Sequence, residues 1–553
     1  MNKFQLNFLL IVLGLVPFFL KAQKSSLDSM IIISTGEYKP SVADANKINE
    51  NPVVLDSTKK LPVKSYSIAT KKINPAYTID PVTPAQMMGE PLKKLYNSLA
   101  KGGFGTYTTP YLEFWHNSSR SKEYAYGVHF KHLSSASTLK NYGFAGMSDN
   151  QIGLYGKKFL KEHSLIGNFD YSRNGVHFYG YDADLISLSK KETAQHFNYF
   201  GANAELLSHY SKLSRFNHDI KLGFYNVSDA YKMSENNIRA NGYVQTTIEK
   251  ELIKVNALVD HYNFKSPFDT VNNTIIAANP NFIADGEKYH ASLGIMATLD
   301  IQGATKFYFH PNVEASYNIF DDIIVPYAGV NGGVRKNSFK TITDENPFVA
   351  SNLALKNTVT KFDLYGGLKG TLSSSIAYNV RVSYAAMGNM LLYVNDTTYP
   401  ANCFQAIYDD GNVLNFRGEV IYQLREKLRI VIAADYSNYK MKHEIRAWYK
   451  PQVKLNVAAN YNLSDKIIVK ADVFYLDSQY AKTFASGDDS TSKKVVAEEL
   501  KGLVDLNVGA EYRYTKRLGF FVNINNIANV RYLRYINYPT QRFSVMGGLS
   551  YAF

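Results

Sequence analysis

Cysteine, long apolar runs and catalytic motifs are almost missing from this chain, and each absence removes a class of protein. The single cysteine among 553 residues, Cys403, cannot close an internal disulfide, so the fold is held by something other than covalent staples. Beyond residue 24 every apolar run is soon broken by Asn, Lys, Asp or Gly, and none approaches the roughly 20 residues of a membrane-spanning helix. A helical membrane protein is excluded. There is no Gly-x-Ser-x-Gly elbow, His-Glu-x-x-His pair or phosphate-binding glycine loop, so the chain reads as a non-enzyme with no catalytic residue and no cofactor. The net charge of +13 comes in ones and twos rather than in a basic block, which argues against a nucleic-acid partner. A polyanionic lipopolysaccharide surface or an anionic permeant suits it as well.

What is present is aromatic. Tyr and Phe number 42 and 32 against two Trp, a usage that suits strands and the interfacial girdles of membrane barrels. At the N-terminus, Lys3 precedes an apolar run from Phe8 to Leu20 that closes on Lys21-Ala22-Gln23. Charged start, apolar middle and small residue near the cut predict a cleaved secretory signal over 1–23. Residues 24–93 are rich in Pro, Ser, Lys and Asn, with apolar residues only in short clusters such as Tyr66-Ser67-Ile68-Ala69. They read as an extended periplasmic or lumen-associated segment, with one helical turn capped by Thr83 and opened by Pro84.

From about residue 94 to Phe553 the ruling pattern is alternation with period two. Val453, Leu455, Val457, Ala459 and Tyr461 share one face, against Lys454, Asn456, Ala458, Asn460 and Asn462. Val504, Leu506, Val508, Ala510, Tyr512 and Tyr514 stand likewise against Asp505, Asn507, Gly509, Glu511 and Arg513. Successive side chains of a strand point to opposite faces, so each segment has one apolar and one wet side. Soluble sandwiches alternate too, but these segments are longer than globular strands. Tight turns such as Arg425-Glu426-Lys427 and Ser464-Asp465-Lys466 also alternate with long polar loops near 134–146, 177–192, 266–286, 336–358, 389–410, 440–448, 479–500 and 529–539. Short turns on one rim and long loops on the other predict an all-β, antiparallel transmembrane barrel over 94–553, of about 20 strands (roughly 18–22), in the cell outer membrane. Treating 287–318 as one long bulged strand keeps the count even and both ends periplasmic.

On that reading the wet faces line a lumen, and the candidates are Arg417, Glu419, Arg429, Asp435, Lys454, Lys470, Asp472, Asp505, Glu511 and Arg513. They either select solutes or satisfy one another in a solvated interior. His129 and His132 differ by three positions and fall on opposite faces, so with His196 they make no metal site. Asp409-Asp410-Gly411 and Asp488-Asp489-Ser490 read as solvated loop tips rather than calcium sites.

The last 50 or so residues carry more than a pattern. Val504 to Tyr512, then Phe520-Phe521-Val522-Asn523-Ile524-Asn525-Asn526, then Tyr538-Pro539 and Arg542, closing on Leu549-Ser550-Tyr551-Ala552-Phe553, resemble the C-terminal barrel strands of TonB-dependent receptors. Gln541 stands where that family usually has Gly. The signal ending Ala22-Gln23 and the segment Gly102 to Pro110 look like plugless relatives of the Bacteroidetes type. The resemblance implies that Leu549, Tyr551 and Phe553 form the signal read by the barrel-assembly machinery. It implies transport of a solute across the outer membrane, while the stretch before the first strand is too short for the family's plug. The other reading is a structural or assembly component that docks a periplasmic or surface partner protein.

Overall fold

Alternating side chains become one sheet rolled on itself. The computed structural model describes residues 96–209, 216–249, 251–396, 400–486 and 493–553. The expected signal peptide, the segment 24–93 with its helical turn, and Asp488-Asp489-Ser490 lie outside the described residues. Among the described residues, 22 strands form a single sheet with antiparallel neighbours. The first strand, Ser98–Gly105, pairs with Thr109–Asn117 on one side and with the last, Ser544–Ala552, on the other, so the ring closes. Backbone polar groups that face hydrocarbon need partners inside the sheet, and closure supplies them.

The outer face is apolar. Ile220, Leu222 and Phe224 alternate outward along one strand, as do Leu549 and Tyr551 along another, and all stay exposed because nothing in the protein covers them. Val380, Gly418, Ala434, Leu455, Tyr475 and Val504 continue this face as one cross-strand row. Such a belt is stable only against lipid. Tight turns at 160–162, 374–375, 425–427, 464–466 and 514–517 make one rim, which also holds both ends of the sheet. The other rim carries 136–146, 178–193, 336–357, 442–452 and 526–543. A short helix, Phe339–Glu345, sits in one of these loops, and a hairpin of Gln479–Ser486 with Lys493–Leu500 stands on the same rim.

Two expectations are overturned. The region 266–286 is a strand, Thr270–Asp285, and 287–318 is two strands, Tyr289–Gln302 and Ala304–Tyr317, rather than one. The reversal takes place at Gly303, the one glycine with a left-handed φ (+67°) among the described residues, where no side chain is needed and none interferes. Thr270–Asp285 was hidden by its asparagines. Asn273, Asn279 and Asn281 are buried on the inner face, so polarity that resembles a loop belongs to a wet wall. The loop 389–410 also shrinks to 396–403, because its flanks extend the strands Ile376–Asn395 and Phe404–Leu424.

Candidate functional site

The densest apolar packing lies at the long-loop rim rather than between layers of sheet. Tyr538, 1% exposed, lies against Phe348 with centroids 4.0 Å apart and ring planes tilted by 32°, and packs against Tyr179 at 4.7 Å and Phe404 at 5.6 Å. No side chain fits at Gly180, where a Cβ would come within 2.3 Å of the Tyr538 ring. Tyr535 and Tyr449 meet edge to face at 5.2 Å, and Trp448 is fully buried beside them. Burial holds the Tyr538 hydroxyl far above its ordinary pKa, so it is a permanent donor, and its acceptor is the Asn402 carbonyl. Burial, aided by the Asp396 carboxylate, likewise pushes the Cys403 thiol up to about 12 and leaves it unreactive.

These contacts cross the ring. Phe178 leaves the fifth strand and Asn402 leads into the sixteenth, nearly opposite in a ring of 22, yet the Asn402 side-chain amide donates to the Phe178 carbonyl at 2.9 Å. Tyr179 reaches the Pro539 carbonyl at 3.0 Å, and Tyr535 reaches the Glu345 carbonyl at 3.0 Å. The loop 336–357 folds inward and is pinned by buried polar groups. Lys336 pairs with Asp260 at 2.7 Å, the Phe339 amide donates to Glu235 at 2.6 Å, and Asn357 donates to Asp300 at 2.8 Å. Together the loops make a lid over the mouth at the long-loop rim. Below the helix lies a cavity of about 530 Å³, with Asp170, Ser172, Asn174, Tyr199, Lys340 and Asp344 among its lining.

The ten charged candidates fall into separate groups. Arg417 stands opposite Asp435, and Asp435 opposite Lys454, in one row that begins at Arg381. Arg417 also approaches Glu419 at 3.7 Å. Arg381 stacks on Tyr365 at 3.9 Å and donates to Asp363 at 2.7 Å, extending the group to a residue pair that the sequence reading did not name. Arg429 and Lys470 flank Asn460 in a second row, and Asp472 faces Asn507. Near the short-turn rim Glu511 is reached by Lys101 and by Arg513, each at 3.5 Å. Asp505 is buried beside the Tyr532 hydroxyl.

His129 and His132 face apart, one on Glu113 at 3.0 Å and the other on Asn150 at 2.6 Å. Among the described residues no three His, Cys, Asp or Glu side chains form a metal-holding group. Asp409 is no solvated loop tip. Its nearly buried carboxylate accepts from the backbone amides of His443 and Glu444 at 2.9 and 2.8 Å and meets the His443 ring at 2.7 Å. The long loops were candidates to occlude so wide a lumen, but their aromatic core went unread in the sequence, although its signal was there: Phe178, Tyr179, Phe348, Trp448, Tyr535 and Tyr538 sit inside stretches otherwise read as polar loops.

A closed antiparallel ring of this size, apolar outside and charged within, defines a β-barrel protein of a Gram-negative outer membrane. Among solved structures it is similar to the FrpB iron transporter of Neisseria meningitidis, with 11% identity, 84% of this chain and 82% of that one covered, and a TM-score of 0.64. The pyoverdine receptor FpvA of Pseudomonas aeruginosa, bound to pyoverdine, gives 11%, 83%, 78% and 0.63. The ferric enterobactin receptor PfeA of the same organism gives 11%, 82%, 81% and 0.62. At these identities the likeness is one of fold, that of TonB-dependent receptor barrels. No protein-family model and no curated protein matches the chain.

Proposed function

We propose that this protein is a gated outer-membrane channel whose own extracellular loops form the gate. The observation that carries the reading is the bond from Asn402 to Phe178 across the ring, inside the aromatic cluster around Tyr538. Barrels of even 16 to 18 strands leave an aqueous channel, so a ring of 22 needs a closure that can part. The similar barrels include iron and siderophore receptors, which supports passage of a solute; Asp170, Lys340 and Asp344 in the mixed lining of the cavity beneath the helix suit a hydrophilic one.

The test is single-channel conductance of the full chain in planar bilayers. Wild type should stay mostly closed. Phe348→Ala with Tyr538→Ala removes the centre of the lid, at about 3–5 kcal/mol per large aromatic, and should open it to long-lived, large conductance. A double variant as closed as wild type sinks the gate. A second reading, a docking component, is favoured by the rim hairpin, which leaves Phe484, Val495 and Val496 exposed. On that reading the barrel conducts in neither form.

A further inference from the structure

One seam of the wall is only partly zipped. The strand Ala304–Tyr317 pairs along its whole length with Tyr289–Gln302. With its other neighbour, Val325–Arg335, it pairs only where Val313–Ser316 meets Tyr327–Val330, toward the short-turn rim. The sequence supplies the causes. Pro311 has no N–H to give the ladder, and the facing strand shifts register between Asn331 and Gly333. There the His310 ring occupies the space a side chain on Gly332 would need, 2.8 Å from an added Cβ. Residues 304–310 are left with a strand on one side only.

Two cavities of about 340 Å³ each lie along this stretch. Tyr308 and Asn389 line both, so they are neighbours. The second touches Tyr308, Phe309 and His310 in succession. Neighbouring residues of a strand face opposite sides of the sheet, Phe307 and Phe309 outward and Tyr308 and His310 inward, so the unpaired edge 304–310 is where the two faces meet. This edge lies in the half of the barrel nearer the long loops.

Its chemistry is specific. On the outer lip Phe307 and Phe309 are 58% and 68% exposed, their rings edge to face at 4.5 Å. Lys306, Lys356 and Lys361 line the two cavities and make no ion pair among the described residues. The nearby carboxylates are already engaged: Asp300 accepts from Asn273 and Asn357, and Asp410 from the Asn389 amide. Two polar atoms on the cavity walls, His310 Nδ1 and Asn357 Oδ1, are buried with no partner, and their residues are each 3% exposed. Buried groups of that kind take a partner from water or from a ligand.

We infer that this seam is a lateral binding site for a phosphate-bearing lipid of the outer leaflet. Its headgroup would sit among the three lysines and His310, with its hydrocarbon along Phe307 and Phe309. The inference needs the barrel and its membrane but not the gate.

The full chain, freed of endogenous lipid in detergent, is titrated with dioctanoyl phosphatidic acid and followed by native mass spectrometry. Wild type should hold the lipid, whereas Lys306→Gln with Lys361→Gln, exposed positions that leave folding intact by heat-modifiable mobility, should bind about 30-fold more weakly. Dioctanoylglycerol, which lacks the phosphate, should not bind. Equal binding by the double variant overturns the site. Inorganic phosphate that competes as strongly as the lipid reduces it to an anion site and overturns the lipid. In cells, a photo-crosslinking amino acid in place of Phe309 should capture a phosphate-bearing lipid, lipopolysaccharide included; capture of a protein strand instead would make the free edge a pairing surface and overturn the inference.

Discussion

Leu455 and Asn456 are adjacent in the chain and meet different solvents. Leu455 lies in the outward row with Val380 and Val504, which are 49% and 52% exposed; Asn456 stands opposite Ala433 and Phe474 on the other face. A charge at the midplane of the outer belt costs roughly 2–4 kcal/mol. Leu455→Arg should therefore sharply lower the yield of folded barrel by heat-modifiable gel mobility, and Asn456→Arg should leave it near wild type. Equal yields would mean that the two faces do not differ in solvent. This level of the fold was legible because a lipid belt and a wet interior force period two on every strand, and period two is visible in one dimension. Which charges meet was not legible: Arg381 with Asp363 joins side chains whose positions depend on register and on a stack against Tyr365.

Among the elements, the loop 442–452 shows how the lid is tied to the wall. Asp409 lies in the outer extension of the strand Phe404–Leu424, which at 21 residues far exceeds the roughly 9–11 that cross a bilayer. By holding the amides of His443 and Glu444 it places Glu444, which accepts from the Trp448 indole at 2.8 Å and from Lys482 of the rim hairpin at 2.8 Å. Burial pushes the Asp409 carboxyl up, but the backbone bonds from Glu444 and His443, the His443 ring and the Asp410 amide outweigh it and hold the carboxyl below its ordinary value. A depressed folded-state pKa stabilises above the unfolded value, about 3.9 for Asp, and that stability is lost as pH falls through the folded value. In a Trp115→Phe background, Trp448 fluorescence should therefore hold steady down to about pH 4 and change below it. Asp409→Ala should loosen the loop by about 1–3 kcal/mol and shift the signal already at neutral pH. A signal that stays flat through the acid range would show that the Asp409 carboxylate does not anchor the loop. Elements were harder to read than faces. Thr270–Asp285 looked like a loop because Asn is as welcome on a wet wall as in a turn, and with that strand unread the turn at Gln302-Gly303-Ala304 was set aside, since it put the long loops on opposite rims in the two halves. The lid depends on contacts between loops far apart in sequence, as Tyr179 with Tyr538 shows, and no local period encodes those.

At the scale of the whole molecule, the question is what keeps so wide a ring from leaking. Two candidates lie in one chain: the loop lid, and the polar stretch 24–93 that precedes the first strand. The lid is anchored on strands all round the ring: by Phe178 after the fifth strand, by Lys336 and Asn357 flanking the thirteenth and fourteenth, by Phe404 at the sixteenth, and by Tyr535 and Tyr538 before the last. A cover fixed at so many points does not open when one is lost, and its buried aromatics give it a cooperative core of its own. Closure should therefore survive removal of residues 30–80. The shortened protein should keep the low conductance of wild type, and adding Phe348→Ala and Tyr538→Ala to it should open the pore as fully as in the complete chain. High conductance in the shortened protein with its lid intact would move the closure to the N-terminal stretch. The lid would then be a recognition surface over a channel that is gated from below.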